Sequence, residues 1–113
     1  MANATIQKNL EALRALKTDF FQKDFLLTWE HSMDELRTVL LLADTFKELH
    51  REGLSFRTFD TGLAISIFRD NSTRTRFSFA SAASALGFTL SELDEQKSQV
   101  AHGETVRETA NMI

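Results

Sequence analysis

The segment from Leu63 to Leu93 constrains the fold most, because it alternates strand-like and helix-like stretches with a turn signal before each. Asp60-Thr61-Gly62 is a turn signal. Leu63, Ile65 and Ile67 then alternate with Ala64, Ser66 and Phe68, an apolar and small-residue run suited to a buried parallel strand. A helix is expected from Thr73 to Leu86, ending at Gly87, and "FTLSEL", Phe88 to Leu93, reads as a second strand. Strands that alternate with helices pair in parallel, so the expected fold class is α/β, a parallel sheet flanked by helices.

Helices are expected on both sides of this unit. Ile6, Leu10, Leu13 and Leu16 form a helical stripe within residues 4–17. "DFLLTWE", Asp24 to Glu30, reads as a short apolar segment that anchors the chain to the body, with Trp29 as a core or interface anchor. Ser32 and Glu35 have capping-box spacing and open a helix with Leu36, Val39, Leu40, Ala43, Phe46 and Leu49 on one face. Gly53 stands just past its end, where the left-handed position favours glycine. After a polar loop from Asp94 to His102, Val106, Ala110 and Ile113 share a face of a last helix with no C-terminal cap following, so the chain reads as cut in mid-helix. The expected organisation is one partial domain over residues 1–113: N-terminal helices 4–52, strand, loop and helix 63–87, and a second strand, loop and truncated helix 88–113.

Composition narrows the function classes. The net charge of −3 argues against general nucleic-acid binding, which needs a basic face to release counterions. With no cysteine among 113 residues, neither disulfides nor thiolate metal sites are available. The N-terminus lacks a signal-type apolar core and no apolar run approaches membrane-spanning length, so a cytoplasmic protein with no membrane partner is expected.

Chemistry concentrates at "FRDNSTRTRFSF", Phe68 to Phe79, where Ser72, Thr73, Arg74, Thr75 and Arg76 sit between the first strand and its helix. Open α/β sheets bind ligands at the C-terminal ends of their strands. There the first N–H groups of the following helix lack intrahelical partners and carry partial positive charge. Hydroxyls and a guanidinium around that point describe an anion site, with phosphate its natural occupant and arginine suited to bonding two phosphate oxygens. The plainer alternative makes Ser72 or Thr73 an N-cap and leaves Arg74 and Arg76 as solvated helix residues. Arg69, Asp70 and Arg76 are expected to brace the loop through ion pairs. The small residues from Ala80 to Ala85 let the helix lie close to its neighbours.

These residues resemble the carbamoyl-phosphate signature of the aspartate and ornithine carbamoyltransferases, in which a phenylalanine leads into a Ser-Thr-Arg-Thr-Arg run. "SQVAHGETVRETANMI", Ser98 to Ile113, resembles the family's mobile loop and following helix in its ornithine-type form, and "DFLLTWEHSMDELRTVLLLADTFKEL" resembles the opening helix. The resemblance runs from about Asp24 onward and is strongest to a knotted subgroup whose amine acceptor is not evident from sequence. It implies a truncated N-terminal carbamoyl-phosphate-binding domain of an enzyme that moves a carbamoyl group from carbamoyl phosphate to the amino group of an amino acid or related amine. Ser72, Thr73, Arg74 and Thr75 would hold the phosphate and carbamoyl oxygen, with Arg74 and Thr75 catalytic. Gln99 would reach into an adjacent subunit of a homotrimer, with His102 in the same loop. No metal or cofactor is implied. Asp70, Ala80 (where many members have Glu) and Ala101-His102 (in place of paired lysines) depart from the family pattern and leave the acceptor undefined. The acceptor-binding parts would lie beyond Ile113, so these residues alone are expected to be inactive; a non-catalytic homologue that binds carbamoyl phosphate or phosphate is the alternative.

Overall fold

The computed structural model describes residues 2–69, 72–94 and 105–113. They fall into two compact units, Met1–Phe56 and Arg57–Ile113.

The first unit is a helix pair. α1 spans Ala2–Leu16 and α2 spans Met33–Arg51, with a single 3-10 turn, Thr28–Glu30, between them. α2 begins where expected. The Ser32 hydroxyl accepts from the Glu35 backbone N–H at 3.1 Å, while the Ser32 N–H donates to the Glu35 carboxylate at 3.3 Å, closing a capping box. It ends in a Schellman motif: the N–H groups of Gly53 and Leu54 donate to the carbonyls of His50 and Leu49.

The buried face of α2 matches the expected one only in part: Leu36, Phe46 and Leu49 are half-buried as expected, but the rest of that face is not. Thr45 is only 2% exposed, with Thr38 and Leu41 half-buried beside it, whereas Leu40 is 67% exposed and Val39 and Ala43 are exposed too. α2 carries Leu40, Leu41 and Leu42 in succession, so periodicity alone offers several apolar faces, and the position of α1 selects one. The Thr45 hydroxyl is satisfied by its own helix, donating to the Leu41 carbonyl at 2.7 Å, which lets a polar residue be buried. Ile6 of α1 is buried, and Thr18 and Thr38 hydroxyls meet at 2.8 Å.

The segment before α2 is corrected as well. Trp29 is 79% exposed and Phe25, Leu26 and Leu27 are exposed, so this stretch does not bury itself as an anchor within its unit. Instead Phe25 stacks on the half-buried His31 ring, centroids 4.3 Å apart and nearly parallel, and His31 Nδ1 meets the Glu35 carboxylate at 3.0 Å.

The second unit contains the strand–helix–strand element. β1, Leu63–Phe68, and β2, Thr89–Asp94, form a two-stranded parallel sheet with Leu63 opposite Thr89 and Phe68 opposite Asp94. α3, Thr73–Leu86, connects them and packs on both. This is the α/β class that the strand–helix–strand order implied. Alternation along β1 puts Ala64, Ser66 and Phe68 on one face, and that face receives the helix: Ser66 is buried and Phe68 meets Arg76 of α3. The larger Leu63 and Ile67 on the other face are exposed. Small residues on both sides, with Ala83 buried on α3, permit the close approach.

α3 stops at Gly87. The N–H groups of Gly87 and Phe88 donate to the carbonyls of Ser84 and Ala83, and Gly87 takes a φ of 105°. A Cβ here would collide with the Phe59 carbonyl. The same corner is closed from outside, since Thr58 and Phe59 N–H groups both donate to the Leu86 carbonyl. β2 begins at Thr89 rather than Phe88, whose ring stacks on Phe59 at 4.5 Å. α4, Val106–Met112, opens with a capping box between Thr105 and Glu108.

Candidate functional site

β1 ends at Phe68 and α3 begins at Thr73, with Ser72 in the N-cap position. The first intrahelical bond runs from the Arg76 N–H to the Ser72 carbonyl at 3.0 Å. Ser72 stands where a capping serine would, yet its hydroxyl does not cap the helix. It donates to the Thr75 hydroxyl oxygen at 2.8 Å. The first turn of α3 carries no acidic residue. Among the described residues no carboxylate caps this positive helix end, and Thr73, Arg74 and Thr75 are exposed around it.

The helix starts of α2 and α4 behave differently. In each, a glutamate three residues after the cap brings its carboxylate to the N-cap N–H. At α2 the glutamate is also electrostatically settled. The hydrogen bond from His31, with a further one from the Ser32 N–H, holds the Glu35 carboxyl below its ordinary value.

Arg76 leaves α3 on another side. Its guanidinium lies over the Phe68 ring, 5.1 Å from the centroid. Thr73, Arg76, Phe77 and Ala80 line a groove of about 440 Å³ against Leu90 and Glu92 of β2. The small side chain at Ala80 helps to open that groove.

Four of the six residues expected at the site, Ser72, Thr73, Arg74 and Thr75, come together at this one corner. Gln99 and His102 lie outside the described residues, as do Asp70 and nearly all of the expected loop. Sequence reasoning did not single out Phe68 as a partner of Arg76; a strand-final aromatic eight residues before an arginine is a weak signal until the chain turns back on itself. The hydroxyl pair Ser72–Thr75 was likewise hidden within a run that looks like a list of separate donors.

A strand end that runs into a helix start bearing hydroxyls and an arginine, with no acidic residue in the first helical turn, has the architecture of an anion-binding corner in an α/β domain. Residues 23–113 match the model of the aspartate/ornithine carbamoyltransferase carbamoyl-P binding domain, and the chain belongs to this family. It is 55% identical over 109 residues to the Escherichia coli (strain K12) protein named "Putative carbamoyltransferase YgeW", covering 96% of this chain and 28% of that protein. It is 34% identical over 91 residues to a catabolic ornithine carbamoyltransferase of Treponema denticola, covering 80% of this chain and 27% of the relative. With the aspartate carbamoyltransferase catalytic subunit of Helicobacter hepaticus it shares 38% identity over 89 residues, 78% of this chain and 28% of the subunit. The chain thus spans under a third of the length of these relatives. α1 lies outside the family match, which begins at residue 23. Among the described residues no helix is long and apolar enough to cross a membrane.

Proposed function

We propose that this chain is the carbamoyl-phosphate-binding part of a cytoplasmic carbamoyltransferase that transfers the carbamoyl group to an amine, with the anion held at Ser72, Thr73, Arg74 and Thr75. The observation that carries this is the α3 start, where the Ser72 hydroxyl serves Thr75 and the first helical turn has no acidic residue. Family membership supports carbamoyl phosphate as the anion.

In this mechanism the neutral amine nitrogen attacks the carbonyl carbon and a tetrahedral oxyanion forms. The carbon–oxygen bond to phosphorus then breaks, and the proton shed by nitrogen leaves with phosphate. Because Thr75 accepts from Ser72, its own hydroxyl proton is directed outward and can donate to the oxygen on which charge develops. Arg74, exposed at the second position of the helix, neutralises the departing phosphate. Gln99 and His102 complete the pocket, Gln99 from an adjacent subunit of a homotrimer. Catalysis comes from positioning and charge stabilisation, and the 113 residues alone do not turn over.

Titration of carbamoyl phosphate, with inorganic phosphate as control, into the longest natural chain containing this segment tests the assignment against an Arg74→Ala variant. Saturable binding weakened about tenfold or more by Arg74→Ala is the expected outcome, since a charged contact of this kind is worth roughly 1.5–3 kcal/mol. Binding indifferent to Arg74, or absent altogether, overturns it.

A further inference from the structure

We propose that Phe68 and Arg76 form a clamp that sets the helix start Ser72–Thr75 in place for its anion, with Arg76 a positioning residue and not an anion ligand. The identity of that anion rests on the carbamoyl-phosphate assignment above.

Among the contacts of the described residues, two tie Arg76 to the corner. Its backbone N–H donates to the Ser72 carbonyl at 3.0 Å, and its guanidinium lies over the Phe68 ring at 5.1 Å. Phe68 is itself fixed, as the last residue of β1 and in register with Asp94 of β2. One residue therefore references the start of α3 to the end of the sheet. The attraction of a cation to a ring face is strongest when the pair is shielded from water, and both side chains are half-buried. Arginine suits the position because its plane can stack on a ring, which an ammonium cannot do.

The two arginines of the Ser-Thr-Arg-Thr-Arg run divide their roles by helical geometry. Positions two apart project about 200° from each other around a helix. Arg76 leaves on the side of Thr73, Phe77 and Ala80, toward the groove and Phe68, so Arg74 points away from it and is exposed. A bound anion that relies on first-turn N–H groups and hydroxyls is sensitive to displacements of well under an ångström. Holding the turn against the strand end therefore bears on affinity without any contact to the ligand.

The test uses the longest natural chain with Phe68→Leu, which removes the ring face but keeps apolar bulk, Phe68→Trp, which keeps a face, and Arg76→Lys. Three quantities are read: carbamoyl-phosphate affinity, ligand-free amide exchange at Ser72–Thr75, and the unfolding midpoint. Phe68→Leu is expected to weaken binding about fivefold and speed exchange at Ser72–Thr75, with the midpoint nearly unchanged, and Phe68→Trp to restore both. Arg76→Lys should follow Phe68→Leu, and it decides the matter if the leucine variant does not fold. Loss of binding on Arg76→Lys with Phe68→Leu binding normally would make Arg76 an anion ligand and overturn the clamp. Faster exchange spread evenly over β1 and α3, with a lowered midpoint, would reduce the pair to a plain packing contact. If the unaltered chain binds no carbamoyl phosphate, the function assigned above falls, and exchange at Ser72–Thr75 alone then supports or overturns the clamp.

Discussion

Two helix starts in this molecule begin with the same residue and end up with opposite electrostatics. At α2, Ser32 is followed three positions later by Glu35, the two side chains cap each other's backbone, and the carboxylate sits on the positive end of the helix. At α3, Ser72 is followed three positions later by Thr75, and the serine hydroxyl turns to the threonine instead of the backbone. One start supplies its own anion and is closed. The other carries hydroxyls and Arg74, the groups that we propose receive one. The difference teaches that a serine N-cap marks a helix start in sequence, while the residue at the third helical position decides whether a capping box closes that start.

The sharpest way to break this contrast is to give α3 the carboxylate that α2 has. Thr75→Glu should abolish carbamoyl-phosphate binding, with a loss of about a hundredfold or more, because the new carboxylate both occupies the helix end and repels the ligand. Thr75→Gln, which can close the same box without charge, should lose clearly less; equal losses would show that the missing hydroxyl, and not charge, is what matters. Calorimetric titration of the longest natural chain distinguishes the two.

A smaller effect is expected from Ser72→Ala. Without its donor the Thr75 hydroxyl is no longer oriented, and affinity should fall roughly threefold to tenfold, the worth of one neutral hydrogen bond. A stabilised or unchanged unfolding midpoint in the same variant would show that Ser72 does not cap α3.

Ser32→Ala is the mirror experiment. It should destabilise the chain by about 1 kcal/mol, within the usual 0.5–2 kcal/mol for a lost cap, and leave carbamoyl-phosphate affinity untouched. Urea unfolding gives the first quantity, and a change in affinity would contradict the separation of roles.

The smallest effect is in pH. The Glu35 carboxyl is held below its ordinary value, first by His31 and then by the Ser32 N–H. A carboxyl depressed in the folded state contributes stability that is complete above the unfolded value, about 4.3, and lost as pH falls through the lower folded value. Glu35→Gln should therefore flatten the acid limb of the stability curve between about pH 5 and pH 3, while changing little near neutrality. Unfolding midpoints of the two proteins across that range make the comparison, and parallel curves would remove Glu35 from the account.

Much of this was legible in the chain. Glycine at 87 and a strand-like run on either side of a helix pattern required parallel strands, because a helical crossover returns the chain in the same direction. The Ser32–Glu35 box was legible because both partners lie within one helical turn. Four donors at Ser72–Thr75 were placed at one corner for the same reason: local sequence keeps neighbours together.

What sequence did not decide are choices among several acceptable partners. Leu40, Leu41 and Leu42 offered α2 more than one apolar face, and the folded unit buries Thr45 while leaving Leu40 exposed. The Ser72 hydroxyl could have reached a backbone N–H or another hydroxyl, and Arg76 could have faced an anion or a ring. Those orientations depend on where the end of β1 lies relative to the first turn of α3. The sequence by itself determined the order and sense of the strand–helix–strand element, and its limits to within a residue, since these follow from short-range periodicity and backbone preference. Tertiary structure alone decided which faces and donors point where, because that is settled by contacts between residues the chain brings together only after it has turned.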